Sequence, residues 1–266
     1  MMRARNGISF LFLLTLLNLG SVSSFGATCR DVEPDFDGLL AQDSVLQIAI
    51  ANFESYSAYL YHELGETELT YEAFRQGLIG YTNLAKRGEL SRLDTLTIID
   101  FTKPSNEPRF FIIDLCHREV IHKSLVAHGV KSGRLYATHF SNEHNSHQSS
   151  LGFYVTTSTY SGKYDLALRL KGMEYSNSHA SSRGVVMHAA NYVSYEFMEK
   201  NGCQLGRSYG CPSLPKEGFK DVVDMIKEGS CLFIYYPNRS YKRYSKYLNR
   251  KDYLEDFMDV NDLANG

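Results

Sequence analysis

Leu46, Ala49, Ile50, Phe53, Ser57 and Leu60 keep helical spacing between Asp43 and Leu64, and Gly65 follows as a stop. A second stripe, Phe74, Leu78, Tyr81 and Ala85, predicts a helix from about Thr70 to Arg87 that ends at Gly88. Neither helix buries its own stripe, so the pair is expected to cover another layer. At Leu96 the period changes to strand-like runs over 96–101, 109–115 and 119–127, the last two flanking a short turn as a hairpin does. Further strands are predicted at 152–156, 166–170, 184–188 and 231–236, with a polar loop from His139 to Ser150. Ser194 is placed to cap a short helix, Tyr195 to Lys200, and Phe219, Val222, Val223 and Ile226 mark another that stops at Gly229. The tail from Asn238 to Gly266, rich in Tyr, Lys and Asp, reads as a surface extension. Helices first, then many strands with helices inserted, predict an α+β chain on a mainly antiparallel sheet or sandwich.

Composition narrows the function classes. A net charge of −2 over 266 residues, with no basic stripe, gives no footprint for nucleic acid. Nineteen tyrosines and no tryptophan suit a large half-buried sheet. Arg3 and Arg5 precede the apolar run Ile8 to Leu17, and small residues follow from Ser21 to Gly26, the layout of a signal peptide over 1–26. The run is too short to span a membrane, so export to the periplasm or cell envelope, with no stable membrane insertion afterwards, is expected. Cys29, Cys116, Cys203, Cys211 and Cys231 would then meet an oxidising compartment. An odd count leaves at least one thiol unpaired; if that is Cys211 the other four allow three pairings, among which the sequence does not choose, and all staying reduced is equally open.

Cys211 lies in Gly206-Arg207-Ser208-Tyr209-Gly210-Cys211-Pro212, a polar loop hinged on glycine, and Val185-Val186-Met187-His188 reads as a buried strand ending on an imidazole. A thiol in a tight loop and a histidine at a strand end are the parts of a cysteine nucleophile, because the attacking species is the thiolate and the base both creates and stabilises it. The tetrahedral intermediate needs N–H donors. Pro212 has none, so they are expected from Cys211 itself and from Gly210 or Tyr209, with Gly210 permitting the turn.

His188-Ala189-Ala190 followed by that loop resembles the histidine and Ser-x-Gly-Cys signature of the murein L,D-transpeptidases, in the branch with a Gly-Arg-Ser-x-Gly-Cys-Pro loop. Ile99-Asp100-Phe101, Val126-Ala127-His128-Gly129, Ser149 to Tyr154 and Cys231 to Tyr236 look like the same branch in the same order, so the similarity covers about 70–237. The resemblance implies a β-rich sandwich or barrel with inserted helices: a helical lead-in over 27–95, a catalytic domain over 96–237 and an extension over 238–266. It implies action on peptidoglycan stem peptides. Cys211 would attack the carbonyl at the L-centre of diaminopimelate in a donor tetrapeptide and expel D-alanine, with His188 as base and then acid. The thioester would pass to an amine, giving a 3–3 crosslink, or to water, which is L,D-carboxypeptidase activity. The chemistry needs no metal or organic cofactor, and in the family a backbone carbonyl orients the histidine.

Two positions depart from the pattern. Family members often carry His two residues before the cysteine and Arg or Asn two after it, where this chain has Tyr209 and Ser213. Arg207 is therefore expected to supply the cation near the substrate carboxylate, with Ser208, Tyr209 and Asn191 completing the substrate-binding set. His139, His144 and His147 suggest a rival zinc site, but their Asn/Ser-rich loop lacks the ordered elements and carboxylates that zinc sites use, so a lid or substrate-contacting loop is expected instead. The remaining alternative is a non-catalytic wall-binding protein on the same fold, against which the intact Cys–His pair speaks.

Overall fold

The computed structural model describes residues 36–65, 68–162 and 165–258, so the predicted signal peptide, Cys29 and the last residues of the tail lie outside it. Helix α1 (Phe36–Glu63) begins earlier than its apolar stripe suggests, and α2 (Tyr71–Lys86) begins at Thr70, whose hydroxyl accepts from Ala73 N–H at 3.4 Å. Eight strands follow: β1 (Thr95–Asp100), β2 (Phe110–Asp114), β3 (Glu119–Ser124), β4 (Gly152–Gly162), β5 (Asp165–Gly172), β6 (Val186–Ala189), β7 (Ser213–Leu214) and β8 (Cys231–Tyr235). Three short helices are inserted, α3 (Tyr195–Lys200), α4 (Phe219–Ile226) and α5 (Arg239–Tyr244), and Ser194 caps α3 by accepting from Phe197 N–H at 3.1 Å.

The strands form one sheet in the order β3-β2-β1-β8-β4-β5-β6-β7. Among the described residues β1–β8 and β6–β7 are the parallel strand pairs. The sheet nearly closes on itself, because Ala127, just past edge strand β3, exchanges backbone hydrogen bonds of 2.8 and 3.4 Å with Ser213 of the opposite edge strand. A barrel-like α+β architecture results, and its seam runs beside Cys211. Closure also hides most of the edge that a flat sheet would leave open.

The two N-terminal helices share the core of the strands. A Cβ on Gly80 would stand 1.9 Å from Phe153 Cζ, and one on Gly77 would stand 2.9 Å from Ile98 Cδ1. Each helical glycine costs about 1 kcal/mol relative to alanine, and here it lets α2 settle directly on Ile98, Phe153 and Phe233. Phe53 of α1 meets the rings of Tyr253 and Phe257 edge-on at 4.6 and 5.6 Å.

Those last contacts correct the reading of the tail as a surface extension. Tyr241, Tyr247, Tyr253 and Leu254 are buried in the main core. Glu174, itself buried, accepts from Phe153 N–H (3.0 Å), Tyr241 Oη (2.7 Å), Ser245 Oγ (2.5 Å) and Tyr247 N–H (3.3 Å). Asn83 of α2 donates to Tyr247 O at 2.7 Å and accepts from Tyr253 N–H at 2.8 Å. A polar composition looked like a solvated face, yet these polar groups are paired inside. Among the described residues no helix is long and apolar enough to cross a membrane.

Candidate active site

β6 and β7 run parallel with His188 opposite Ser213 and Ala189 opposite Leu214. Cys211, two residues before Ser213, therefore sits level with Val186, two residues before His188. Cys211 itself lies in the bend before β7, and its sulfur meets the β6 backbone at Val186, two residues from His188. The sulfur accepts from Val186 N–H at 3.5 Å and its S–H is directed at Gly184 O, 3.7 Å away. Burial pushes the thiol upward from its ordinary value, while Val186 N–H and the Arg183 guanidinium pull it back.

His188 Nδ1 lies 3.0 Å from Ala189 O, and a carbonyl only accepts, so Nδ1 carries the proton. Nε2 is left with its lone pair toward Ser213 Oγ at 3.0 Å, and Ser213 Oγ is in turn 3.0 Å from Tyr192 Oη. A chain of donors, Tyr192 to Ser213 to His188, ends on the basic nitrogen. Burial holds the imidazole below its usual value, with the Ala189 carbonyl opposing, so His188 is a neutral base at physiological pH.

The cysteine loop is braced from within. Ser208 Oγ accepts from Gly210 N–H at 3.0 Å and donates to Cys211 O at 2.6 Å. Gly210 has φ +124° and no room for a Cβ, which would stand 2.7 Å from Gln148 O. With its N–H taken by Ser208, Gly210 contributes the turn, and the N–H groups of Cys211 and Tyr209 are the donors left for an oxyanion. Ser208 thus faces the loop interior. Its backbone is stitched to the segment after β3, through Ser208 N–H to His128 O at 3.0 Å and Val130 N–H to Ser208 O at 2.7 Å.

The other expected substrate-binding residues take separate positions. Arg207 donates to Gly133 O at 2.9 Å and Val130 O at 3.4 Å, holding the 129–133 turn rather than standing free in the site. Tyr209 is 73% exposed and stacks on His147 at 4.4 Å, an aromatic rim over the loop. Asn191 lines a cavity of about 870 Å³ with Ala190, Pro215 and α3. The three loop histidines diverge: His139 meets Thr138, His144 meets Ser182 and His147 meets Tyr209. Among the described residues no three His, Cys, Asp or Glu side chains are grouped to hold a metal, and Cys116, Cys203 and Cys231 are free thiols alongside Cys211.

Arg183, Tyr192 and a role for Ser213 at the base were not anticipated. Arg183 donates to Ser141 O (2.9 Å), Ser150 Oγ (2.5 Å), Ser146 Oγ (3.2 Å) and Gln148 O (2.7 Å), fastening the 141–150 loop beside Gly210 and Cys211. Its partners are carbonyls and hydroxyls more than thirty residues away, so charge spacing carries no trace of it. Beneath the seam, fully buried Arg109 donates to Val126 O at 2.8 Å and to His128 Nδ1 at 2.7 Å, and His128 Nε2–H points to Gly133 O at 3.3 Å.

Residues 65–235 match the model of the L,D-transpeptidase catalytic domain. Solved structures similar to this chain include an L,D-transpeptidase from Mycobacterium smegmatis, at 14% identity over 54% of this chain and 59% of that one, with a TM-score of 0.34. L,D-transpeptidase 3 from Mycobacterium tuberculosis in complex with a faropenem-derived adduct is 13% identical over 54% and 60%, with a TM-score of 0.35. An L,D-transpeptidase from Stackebrandtia nassauensis is 12% identical over 65% and 69%, with a TM-score of 0.33. The chain thus spans about three-fifths of the mycobacterial structures it matches. No curated protein matches it significantly. The domain match takes in α2, all eight strands and the cysteine loop, and the chain belongs to the L,D-transpeptidase catalytic domain family.

Proposed function

We propose that the chain is an exported, cysteine-dependent L,D-transpeptidase acting on the tetrapeptide stems of peptidoglycan. The observation that supports this reading is the seating of the Cys211 sulfur against Val186 of β6, the strand that carries His188, whose imidazole keeps its lone pair on Nε2. Arg3, Arg5 and the apolar run behind them support export.

In this mechanism the Cys211 proton passes to His188 Nε2, and the resulting imidazolium keeps its Nδ1–H on Ala189 O. The thiolate attacks the carbonyl at the L-centre of diaminopimelate, and the oxyanion faces the N–H groups of Cys211 and Tyr209. Collapse breaks the C–N bond, and the Nε2 proton leaves with the amine of D-alanine. An acceptor amine then gives a proton to His188 and attacks the thioester. The C–S bond breaks, an amide forms as a 3–3 crosslink, and the sulfur recovers its proton. No step calls for a cofactor.

Mass spectrometry of the protein mixed with stem tetrapeptide is the test. A thioester adduct lacking D-alanine is expected, absent in Cys211→Ser, and chromatography of digested peptidoglycan is expected to yield 3–3 dimers. Trimmed tripeptides alone would reassign the acceptor to water. No adduct under any condition would favour a non-catalytic wall-binding protein.

A further inference from the structure

Two basic side chains on β5 lie one strand across from the nucleophile, with β6 between, and among the described residues no acid pairs with either. β5 pairs with β6 so that Ala167 faces His188 and Arg169 faces Val186. Residues directly opposite in a pair share a face, and Lys171, two residues beyond Arg169, shares it too. This is the face that carries the imidazole. A groove of about 410 Å³ runs along it, lined by Tyr160, Arg169, Lys171, Gly184 and Val186 among others. Gly184 and Val186 are the two residues whose backbone touches the Cys211 sulfur, at 3.7 and 3.5 Å. The groove and the thiol thus share Gly184 and Val186.

Arg169 lies over the ring of Tyr160, 4.3 Å from its centroid, which fixes the guanidinium above the groove. Among the described residues neither Arg169 nor Lys171 forms an ion pair. In the larger cavity beside α3, Lys123 pairs with Glu68 and Lys200 with Glu196, and Lys216 is the lysine there without an ion pair among the described residues. Arg207, the cation expected at the substrate, is turned to backbone carbonyls instead. Arg183, whose charge acts on the thiol, is turned to carbonyls and hydroxyls of the 141–150 loop, so the exposed positive charge along this groove is that of β5.

We propose that this groove is the donor subsite, in which Arg169 and Lys171 bind a free carboxylate of the stem peptide adjoining the scissile bond. The inference rests on the reading of Cys211 as the acyl-accepting nucleophile. A stem peptide suits two spaced cations because the γ-linked D-glutamate leaves its α-carboxylate free and diaminopimelate carries another. Arg169 offers a fork to such a group, and Lys171 a point charge.

The test compares three donor tetrapeptides: unmodified, amidated at the glutamate α-carboxylate, and amidated at the free diaminopimelate carboxylate. Thioester formation on Cys211 is followed by mass spectrometry. The unmodified protein is expected to prefer the free acid over one amidated donor by about tenfold in kcat/KM, as one partly exposed charged hydrogen bond supplies. Arg169→Gln/Lys171→Gln is expected to process those two donors at equal rates. Both side chains are exposed, so the variant keeps its fold, and adduct formation from the amidated donor verifies this. A preference that survives in the double variant, or that is absent from the unmodified protein, overturns the subsite. No adduct with any donor overturns the transpeptidase reading and this inference with it.

Discussion

The hydroxyl of Ser213 lies 3.0 Å from Nε2 of His188, on the nitrogen that must take the thiol proton. Ser213 occupies the position two after the cysteine, so one of the two residues that depart from the family pattern touches the base. Because Nδ1–H is committed to Ala189 O, Ser213 donates to a neutral ring and thereby favours the neutral form. The resting site is a poised base whose lone pair is already occupied.

Removing that donor should make the thiol easier to ionise. In Ser213→Ala the neutral ring loses a donor on Nε2, so the His188 midpoint moves up toward the ordinary imidazole range. We expect several-fold faster alkylation of Cys211 at neutral pH and an upward shift of the His188 titration. Iodoacetamide kinetics and ring-proton NMR read both. Slower alkylation would mean that Ser213 instead relays the proton between thiol and ring.

Arg183 acts on the same thiol from the other side. Burial raises the Cys211 thiol, and the Arg183 cation opposes it, so loss of that charge moves ionisation to higher pH. Arg183→Gln should displace the rising limb of the alkylation profile upward and slow the reaction several-fold at neutral pH. Arg183→Lys keeps the charge but not the fork that holds Ser141, Ser150 and Gln148, so it should restore the limb while leaving the 141–150 loop more exposed to protease. A profile unmoved by Arg183→Gln would reduce Arg183 to a loop brace.

The Ser194 cap, the β2–β3 hairpin and the cysteine loop were legible because each is written in local residues: a serine before its helix, alternating runs around a turn, glycines around Cys211. What escaped the sequence was made by distant partners. β7 is only two residues long, and its register with β6 alone decides that Ser213 rather than Cys211 stands level with His188. Arg207 carries a charge that suggests a substrate, but its hydrogen bonds go to the carbonyls of a turn more than seventy residues earlier. Tyr241 and Tyr247 look like surface residues until Glu174 gathers them. Spacing reveals a pattern within one element, and these contacts lie between elements.

The Arg109–His128 pair makes stability depend on acid. Burial first, and the Arg109 charge next, bring His128 down to about 3, while burial brings Arg109 down to about 9, still protonated at neutral pH. The folded His128 refuses a proton that the unfolded chain accepts from about pH 6.5 downward. Its contribution is thus complete above pH 6.5 and is lost as pH falls toward 3, at up to about 1.4 kcal/mol per pH unit. His128→Asn keeps an acceptor for Arg109 but cannot titrate. Its Tm is expected to fall less steeply than that of the unmodified protein between pH 6.5 and pH 4, the differential removing the shared contributions of His122 and His188. Parallel curves would place the acid sensitivity elsewhere.

Glu174 decides whether the tail is part of the domain. Its two carboxyl oxygens answer Phe153 N–H, Tyr241 Oη, Ser245 Oγ and Tyr247 N–H, so one buried group joins β4 to residues 241–247. Glu174→Ala strands these donors away from water, and each buried donor left unsatisfied costs about 1–3 kcal/mol before local relaxation. A net loss of about 3–5 kcal/mol, or about 10 °C in Tm, is expected. Glu174→Gln replaces one acceptor by a donor facing Tyr241 or Ser245, so it should recover only part of the loss. Thermal unfolding together with limited proteolysis separates this from a peripheral tail. If the tail is a structural layer, the Ala variant is cut first between 238 and 258 and loses Tm in step. A variant whose tail is cut while Tm holds would return residues 238–258 to the surface.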